Sequence, residues 1–287
     1  MNIGYLASGQ LGLSTLKACA DFLQPIFIAT DSNSLSIINH CKEKNIPLFK
    51  GNPRNGKLKE FMKNSKTDVL LSVNYLFLID QEVIDLVKYP INFHGSLLPA
   101  YRGRTPHVWA IINGEKKTGV TAHIINSKCD EGDIMLQKEI PIEFEDTGAD
   151  ILKRYESIYP EMIKEILFMI KENKLQLIPQ DHAMAFSVGK RTPDDGEINW
   201  TWQKEKIRNW VRAQAYPYPG AFTSLEGQKI IIDKISYSDN KYNQNDPDGL
   251  IVKGYPENIV KTSNGSVKLE VVRANEKLLK KNKVLGK

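Results

Sequence analysis

The chain opens on MNIGYLAS, apolar through its middle, and passes into QLGLSTLKACADF, where apolar residues return every three or four positions. It then restores a continuous apolar run in PIFIATD, which ends on Asp31. A short unbroken apolar run is the mark of a strand covered on both faces, and recurrence at three to four residues is that of a helix with one buried side. The opening therefore predicts strand, helix, strand. The alternation continues: a helix over 34–44, a strand in IPLFK, a helix over 56–64, a strand in DVLLSVN, a helix over 80–88 and a strand in PINFH. Alternating elements of this kind build an open, mostly parallel, Rossmann-like α/β sheet flanked by helices. GVTAHIIN and GDIMLQKEIPI read as the paired strands of a hairpin, and a long amphipathic helix follows over 147–173. From Arg191 the pattern changes to turn-rich RTPDDGEINW, one helix in KEKIRNWVRA and short strands such as KIIIDKISY, DGLIVKG and SVKLEVV. We place a boundary near residue 190, with an α/β domain over 1–190 and a small, mainly β domain over 191–287. The basic tail KLLKKNKVLGK is expected to fray.

Composition narrows the class. A chain of 287 residues that is 41% apolar has ample material for a core, and 39 Lys and Arg against 34 acids leave only +5 spread along it. That mild excess suits an anionic small substrate and does not call for nucleic acid. Cys19, Cys41 and Cys129 are scattered and odd in number, so neither a disulfide framework nor a zinc knuckle is indicated. With no leader-like start and no apolar stretch of membrane length, the expectation is a cytoplasmic protein with no membrane partner.

Two motifs carry chemistry. ASGQLG lacks the first glycine of a dinucleotide fingerprint, because Ala7 stands there, although Asp31 lies where a ribose-binding carboxylate would. A tight strand-to-helix turn beside a cleft is the preferred reading. The second motif is INFHGSLLPAYRGRTP followed by SKCDEGDIM. On a strand, Asn92 and His94 project from one face, at the carboxyl end where open α/β sheets hold ligands. An amide can donate to an oxyanion, an imidazole can move a proton, and the Asp130 carboxylate can orient the ring. Such a set suits acyl transfer to an amine, although spacing alone favours a satisfied core histidine and a turn aspartate. A serine hydrolase is disfavoured, since Ser96 stands too near His94 and no Gly-x-Ser-x-Gly is present.

The stretch NFHGSLLPAYRGRTPHVWAIINGEKKTGVTAHIINSKCDEGDIM resembles the core of the folate-dependent formyltransferases, with Asn-x-His-x-Ser-Leu-Leu-Pro, Arg-Gly, Thr-Gly-Val-Thr and Asp-x-Gly in order. The resemblance covers most of residues 1–225. It implies an N-terminal domain that uses N10-formyltetrahydrofolate as co-substrate and no dinucleotide, with Asn92, His94 and Asp130 as the catalytic triad. It also implies that Asp130 holds the His94 imidazole and raises its pKa. Carried over, Asn74, Leu76 and Ile79 from the loop VNYLFLI, together with Cys129, line the folate pocket. No metal is implied.

The region beyond residue 190 sorts the family by acceptor. Glycinamide ribonucleotide formyltransferases resemble only the first domain, and methionyl-tRNA formyltransferases carry a basic, glycine-rich loop after the second strand. Here that segment is DSNSLSIINHCKEKNIPLFKGN, short and nearly neutral, and no dense basic face follows. The chain is most similar to the sugar N-formyltransferases, which implies a dTDP- or UDP-linked amino sugar as acceptor, formylated for a surface polysaccharide. The alternative is methionyl-tRNA. Arg102 and Arg212 are the candidates for the diphosphate, since guanidinium matches phosphate oxygens, and Trp200 is the candidate to meet the nucleotide, though an aromatic at helical spacing also suits a core. His107 and His123 are read as structural, with His123 on a strand face beside the site. Strand edges such as QKIIIDKI need cover, so a homodimer is expected.

Overall fold

The structure, a computed structural model, describes residues 1–274 and 276–286. It divides into two compact units. The first comprises Met1–Pro106, Thr118–Ile140 and Leu152–Val188; the second comprises His107–Lys117, Pro141–Ile151 and Gly189–Lys287. The expectation was a single cut near residue 190; the second unit also takes in two earlier segments.

In the first unit, β1 (Ile3–Ala7), β2 (Phe27–Thr30), β3 (Leu48–Lys50), β4 (Val69–Val73) and β5 (Tyr89–His94) run parallel. Helices α1 (Gly9–Ala18), α2 (Leu35–Lys44), α3 (Lys57–Met62) and α4 (Gln81–Ile84) follow the first four of these in turn. After β6 (Arg102–Gly103) and helix α5 (Pro106–Ile112) the chain returns as β7 (Lys117–Ile124), antiparallel to β5, and then β8 (Ile134–Pro141). The seven strands lie in the order β3-β2-β1-β4-β5-β7-β8. This is the mostly parallel α/β sheet that the sequence predicts. Strands β1, β2 and β4 are buried along their length, which is why they read as unbroken apolar runs. Leu6, Phe27, Leu70 and Val83 form a core cluster on one face, against which Phe49, Tyr75 and Ile79 pack.

The long helix α6 (Gly148–Lys171) follows β8, and β9 (Ser187–Val188) then pairs with β6 as a two-stranded parallel ribbon. The ribbon matters to the site because it brings the segment around residue 180 back to the loop after β5. Gly103 sits at φ +102°, and a Cβ there would collide with the Val188 carbonyl oxygen, so the ribbon requires glycine.

The second unit holds α7 (Lys204–Ala213) and the strands β10 (Ala221–Leu225), β11 (Gln228–Ser238), β12 (Ile251–Lys253), β13 (Ile259–Thr262) and β14 (Gly265–Val272). They form an antiparallel sheet in the order β10-β11-β14-β13-β12. Its core gathers Trp200, Ile207, Val211, Ile230, Val260 and Val267. The C-terminal tail does not fray as expected. Leu279 and Leu285 join that core, and the Leu285 and Gly286 amides donate to the Gly249 and Ser224 carbonyls. Two leucines six positions apart, Leu279 and Leu285, are what its lysine content conceals. Lys287 lies outside the described residues.

Candidate active site

Asn92 and His94 leave β5 on one face at its carboxyl end, as period two requires. Asp130 reaches them from the loop after β7 by adopting a left-handed backbone, φ +57°, which aspartate tolerates better than most residues. Its Oδ1 stands 3.5 Å from each of His94 Nδ1, His123 Nε2 and Asn92 Nδ2. Its Oδ2 accepts from the Gly103 amide at 2.9 Å and the Cys129 thiol at 3.2 Å. The structure thus brings the three expected catalytic residues into one cluster.

Hydrogen bonds fix the polarity of each member. The Asn92 amide oxygen accepts from Ser72 Oγ on β4 at 2.8 Å, so its nitrogen points the other way, donating toward His123 Nε2 at 3.2 Å. His123 Nδ1 donates to the Ile124 carbonyl at 2.8 Å, which leaves Nε2 as the acceptor this arrangement needs. His94 Nε2 donates to the Tyr101 carbonyl at 2.8 Å, leaving Nδ1 toward Asp130. Gln180 closes the cluster from behind. Its amide nitrogen donates to the Asp130 and Gly132 carbonyls at 2.9 and 2.7 Å, and its oxygen accepts from Arg102.

The electrostatics follow from burial against pairing. Burial opposes the charge on Asp130, but His123, His94 and the Gly103 amide outweigh it and hold the carboxyl well below its usual range, so it is ionised. For His94 the balance falls the other way. Burial pushes its pKa down, Asp130 and the Tyr101 carbonyl push it up, and the net direction is down. The carboxylate raises the imidazole, the direction expected of it, yet desolvation of a fully enclosed ring exceeds that contribution. At neutral pH the ring is uncharged and Nδ1 is a proton acceptor. Burial and the Asp130 charge push the Cys129 thiol up to about 12, so it stays protonated as donor.

The remaining expected site residues are spread more widely. Asn74, in a left-handed backbone at φ +54°, donates to the Ser8 carbonyl, and with Leu76 it lines a cavity of about 430 Å³ at the carboxyl ends of β1, β2 and β4. Ile79 packs on the core cluster of the sheet, and Cys129 is the thiol on Asp130. Arg102 is buried, with its guanidinium shared among Gln180, His182 and Glu131, so it braces the Asp130 loop. Arg212 donates to Asn209 and to the Glu143 and Asp146 carbonyls. Trp200 is buried in the second unit's core, with its indole donating to Thr223 Oγ1. Guanidinium groups so engaged offer a diphosphate little. Sequence reasoning passed over Ser72 and Gln180; His123, read as structural on a strand face beside the site, does lie there, opposite Asn92 across β5 and β7. Among the described residues, no group of three His, Cys, Asp or Glu side chains could hold a metal ion, and no helix is long and apolar enough to cross a membrane.

Comparison with known proteins bears on the family and the fold. The formyl transferase family model matches residues 26–167, and that of the formyl transferase C-terminal domain matches 190–284. Among solved structures, the N-formyltransferase from Helicobacter canadensis, in complex with folinic acid and dTDP-3-aminofucose, is 19% identical, with a TM-score of 0.71 over 94% of this chain and 98% of that one. A sugar N-formyltransferase from a Shewanella species is 21% identical, with a TM-score of 0.66 over 84% and 100%. Methionyl-tRNA formyltransferase from Clostridium thermocellum is 19% identical, with a TM-score of 0.58 over 84% and 96%. At these identities the likeness establishes the fold, which enzymes with different acceptors share.

Proposed function

Because the chain belongs to the formyl transferase family and carries both of its domains, we propose that it moves the formyl group of N10-formyltetrahydrofolate to the primary amine of a nucleotide-linked amino sugar, dTDP- or UDP-linked. The observation that carries the reaction is the oriented cluster of Asn92, His94 and Asp130 at the end of β5. The neutral acceptor amine attacks the formyl carbon. Asn92 Nδ2, its orientation set by Ser72 and His123, donates to the carbonyl oxygen as negative charge develops there. His94 Nδ1 takes the proton that the amine loses, and the ionised Asp130 stabilises the imidazolium so formed. The C–N bond to the donor nitrogen then breaks, that nitrogen regains a proton, and the products are a formamide and tetrahydrofolate. The exposed Leu78, in the loop after β4, offers apolar surface to a pterin and helps exclude water, which would otherwise compete for the formyl group.

Two observations support a sugar acceptor over tRNA. The segment after β2 is short and nearly neutral, without the basic loop that grips an acceptor stem, and the Helicobacter relative binds a dTDP-amino sugar. The test is incubation with N10-formyltetrahydrofolate and a panel of dTDP- and UDP-amino sugars, read by mass spectrometry, with charged initiator tRNA in parallel. Gain of one formyl group on a sugar nucleotide is expected; formylation of the tRNA alone would overturn the acceptor. A homodimer is also proposed, and a monomer by light scattering at micromolar concentration would refute it; it does not rest on bare strand edges, because Ile198 and Gly286 bond to β10 and Asn282 and Lys283 bond to β12.

A further inference from the structure

The turn ASGQLG and Asp31 take no part in the chemistry above, yet they stand at a distinctive place. Strands β1, β2 and β3 build the sheet in one direction and β4 and β5 in the other, so the order reverses between β1 and β4. A crevice opens outside the carboxyl ends of strands at such a reversal, and ligands of open α/β sheets bind there. The 430 Å³ cavity lies at that point, with Ser8, Gly9 and Asp31 on one side and Asn74 on the other.

Its chemistry selects among ligands. Among the described residues, no lysine or arginine lines it. The Gly9 amide, which a phosphate at the start of α1 would seek, already donates to Ser34 Oγ at 2.8 Å. Although burial opposes the charge on Asp31, hydrogen bonds from the Ser34 side chain and the Asn33 amide help hold the carboxyl below its usual range. An anionic group would meet an ionised carboxylate with no cation to offset it. A hydroxyl meets something better. Asp31 Oδ1 is filled by the Asn33 and Ser34 amides at 2.8 and 3.1 Å, whereas Oδ2 accepts from Ser34 Oγ and keeps a second lone pair. Ser8 Oγ, buried in the same wall, has no partner at hydrogen-bonding geometry. The exposed Leu35 and Leu76 at the rim suit the apolar face of a ring.

We propose that this crevice holds the ribose of the acceptor nucleotide, with Asp31 accepting a hydrogen bond from a ring hydroxyl; the inference rests on the reading of the acceptor as a nucleotide-linked sugar. Strand β2 stands three strand spacings from β5, about 14 Å, a gap that a sugar diphosphate spans between its sugar amine and its ribose. Asp31 then serves to choose a neutral hydroxylated ring, and the degraded glycine turn is explained by the absence of any phosphate to cradle.

The test is calorimetric binding of UDP and dTDP, each against its 2′,3′-dideoxy counterpart, to the wild-type protein and to Asp31→Asn. Wild-type affinity should fall about tenfold or more on loss of the hydroxyls, since the acceptor is charged. In Asp31→Asn that ratio should shrink toward one. A penalty seen with UDP and dTDP alike assigns the 3′-hydroxyl, and one seen with UDP alone assigns the 2′-hydroxyl; both uphold the site. Wild-type affinities within twofold for hydroxylated and dideoxy forms would overturn the ribose site while leaving the nucleotide acceptor standing. That comparison needs no folded variant. Absence of binding by all four nucleotides would overturn both.

Discussion

Replacing Ser72 by Ala removes one hydroxyl from the interior of β4 and asks whether the orientation of the Asn92 amide governs the rate. Ser72 Oγ donates at 2.8 Å to Asn92 Oδ1, and the net worth of one such bond is about 0.5–1.5 kcal/mol, which corresponds to about 2- to 13-fold. A flipped amide would set its oxygen against the His123 Nε2 lone pair and within 3.5 Å of the Asp130 carboxylate, so the amide keeps its direction but loses its brace. We therefore expect kcat to fall about two- to tenfold, with KM unchanged for donor and acceptor. Asn92→Ala, which deletes the donor itself, should lose about 10²–10³-fold. The decisive measurement is the double variant, assayed by initial rates of formyl transfer to the sugar nucleotide found in the screen. If Ser72 acts only through Asn92, the double variant is no slower than Asn92→Ala alone. Losses that multiply would refute the chain from Ser72 through Asn92 to the developing oxyanion.

Other expectations follow from the same geometry. His94→Ala and Asp130→Ala should each lower turnover by about a hundredfold or more while folate affinity survives, and equal loss of both would place these residues in binding instead. In an NMR titration the His94 ring should protonate below the ordinary histidine value, and Asp130→Asn should move it lower still; an upward move would overturn the role given to the carboxylate. Both groups have folded-state pKa values below their unfolded ones, so each contributes stability that is present above its unfolded value and lost on acidification: from about pH 6.5 downward for His94, and from about pH 4 downward for Asp130. Alkylation of Cys129 by iodoacetamide at pH 8 should be slower than that of a free thiol, and faster in Asp130→Asn, because the carboxylate holds the proton on sulfur. Trp200→Ala should cost about 3–5 kcal/mol in thermal unfolding of the second unit, whereas a milder Trp200→Phe should leave nucleotide affinity intact.

Period two in PINFH is enough to put Asn92 and His94 on one face, because strand geometry leaves no other choice. Asp130 was legible only through the family pattern: a left-handed turn 36 residues later delivers it, and neither spacing nor periodicity encodes where a loop returns. The bond between His123 and Asn92 escaped for a related reason, since it depends on the register that sets the two opposite each other across β5 and β7. Arg102, Arg212 and Trp200 show the opposite failure. Their residue types suit a nucleotide, but partners decide what a guanidinium or indole does, and here those partners are Gln180, backbone carbonyls and Thr223.

The clamp on Asp130 has a bearing on how the enzyme comes into being. Gln180 holds the Asp130 and Gly132 carbonyls, and the ribbon of β6 with β9, ending at Val188, positions the Gly103 amide beneath the carboxylate. A nascent chain that has left the ribosome only as far as α6 carries Asn92, His94 and Asp130, yet lacks Gln180 and the β9 strand that brace the aspartate's surroundings. Competence arrives late in translation, when the polypeptide doubles back from beyond residue 180, so truncated translation products ending before that point should be unable to spend the cell's activated one-carbon units.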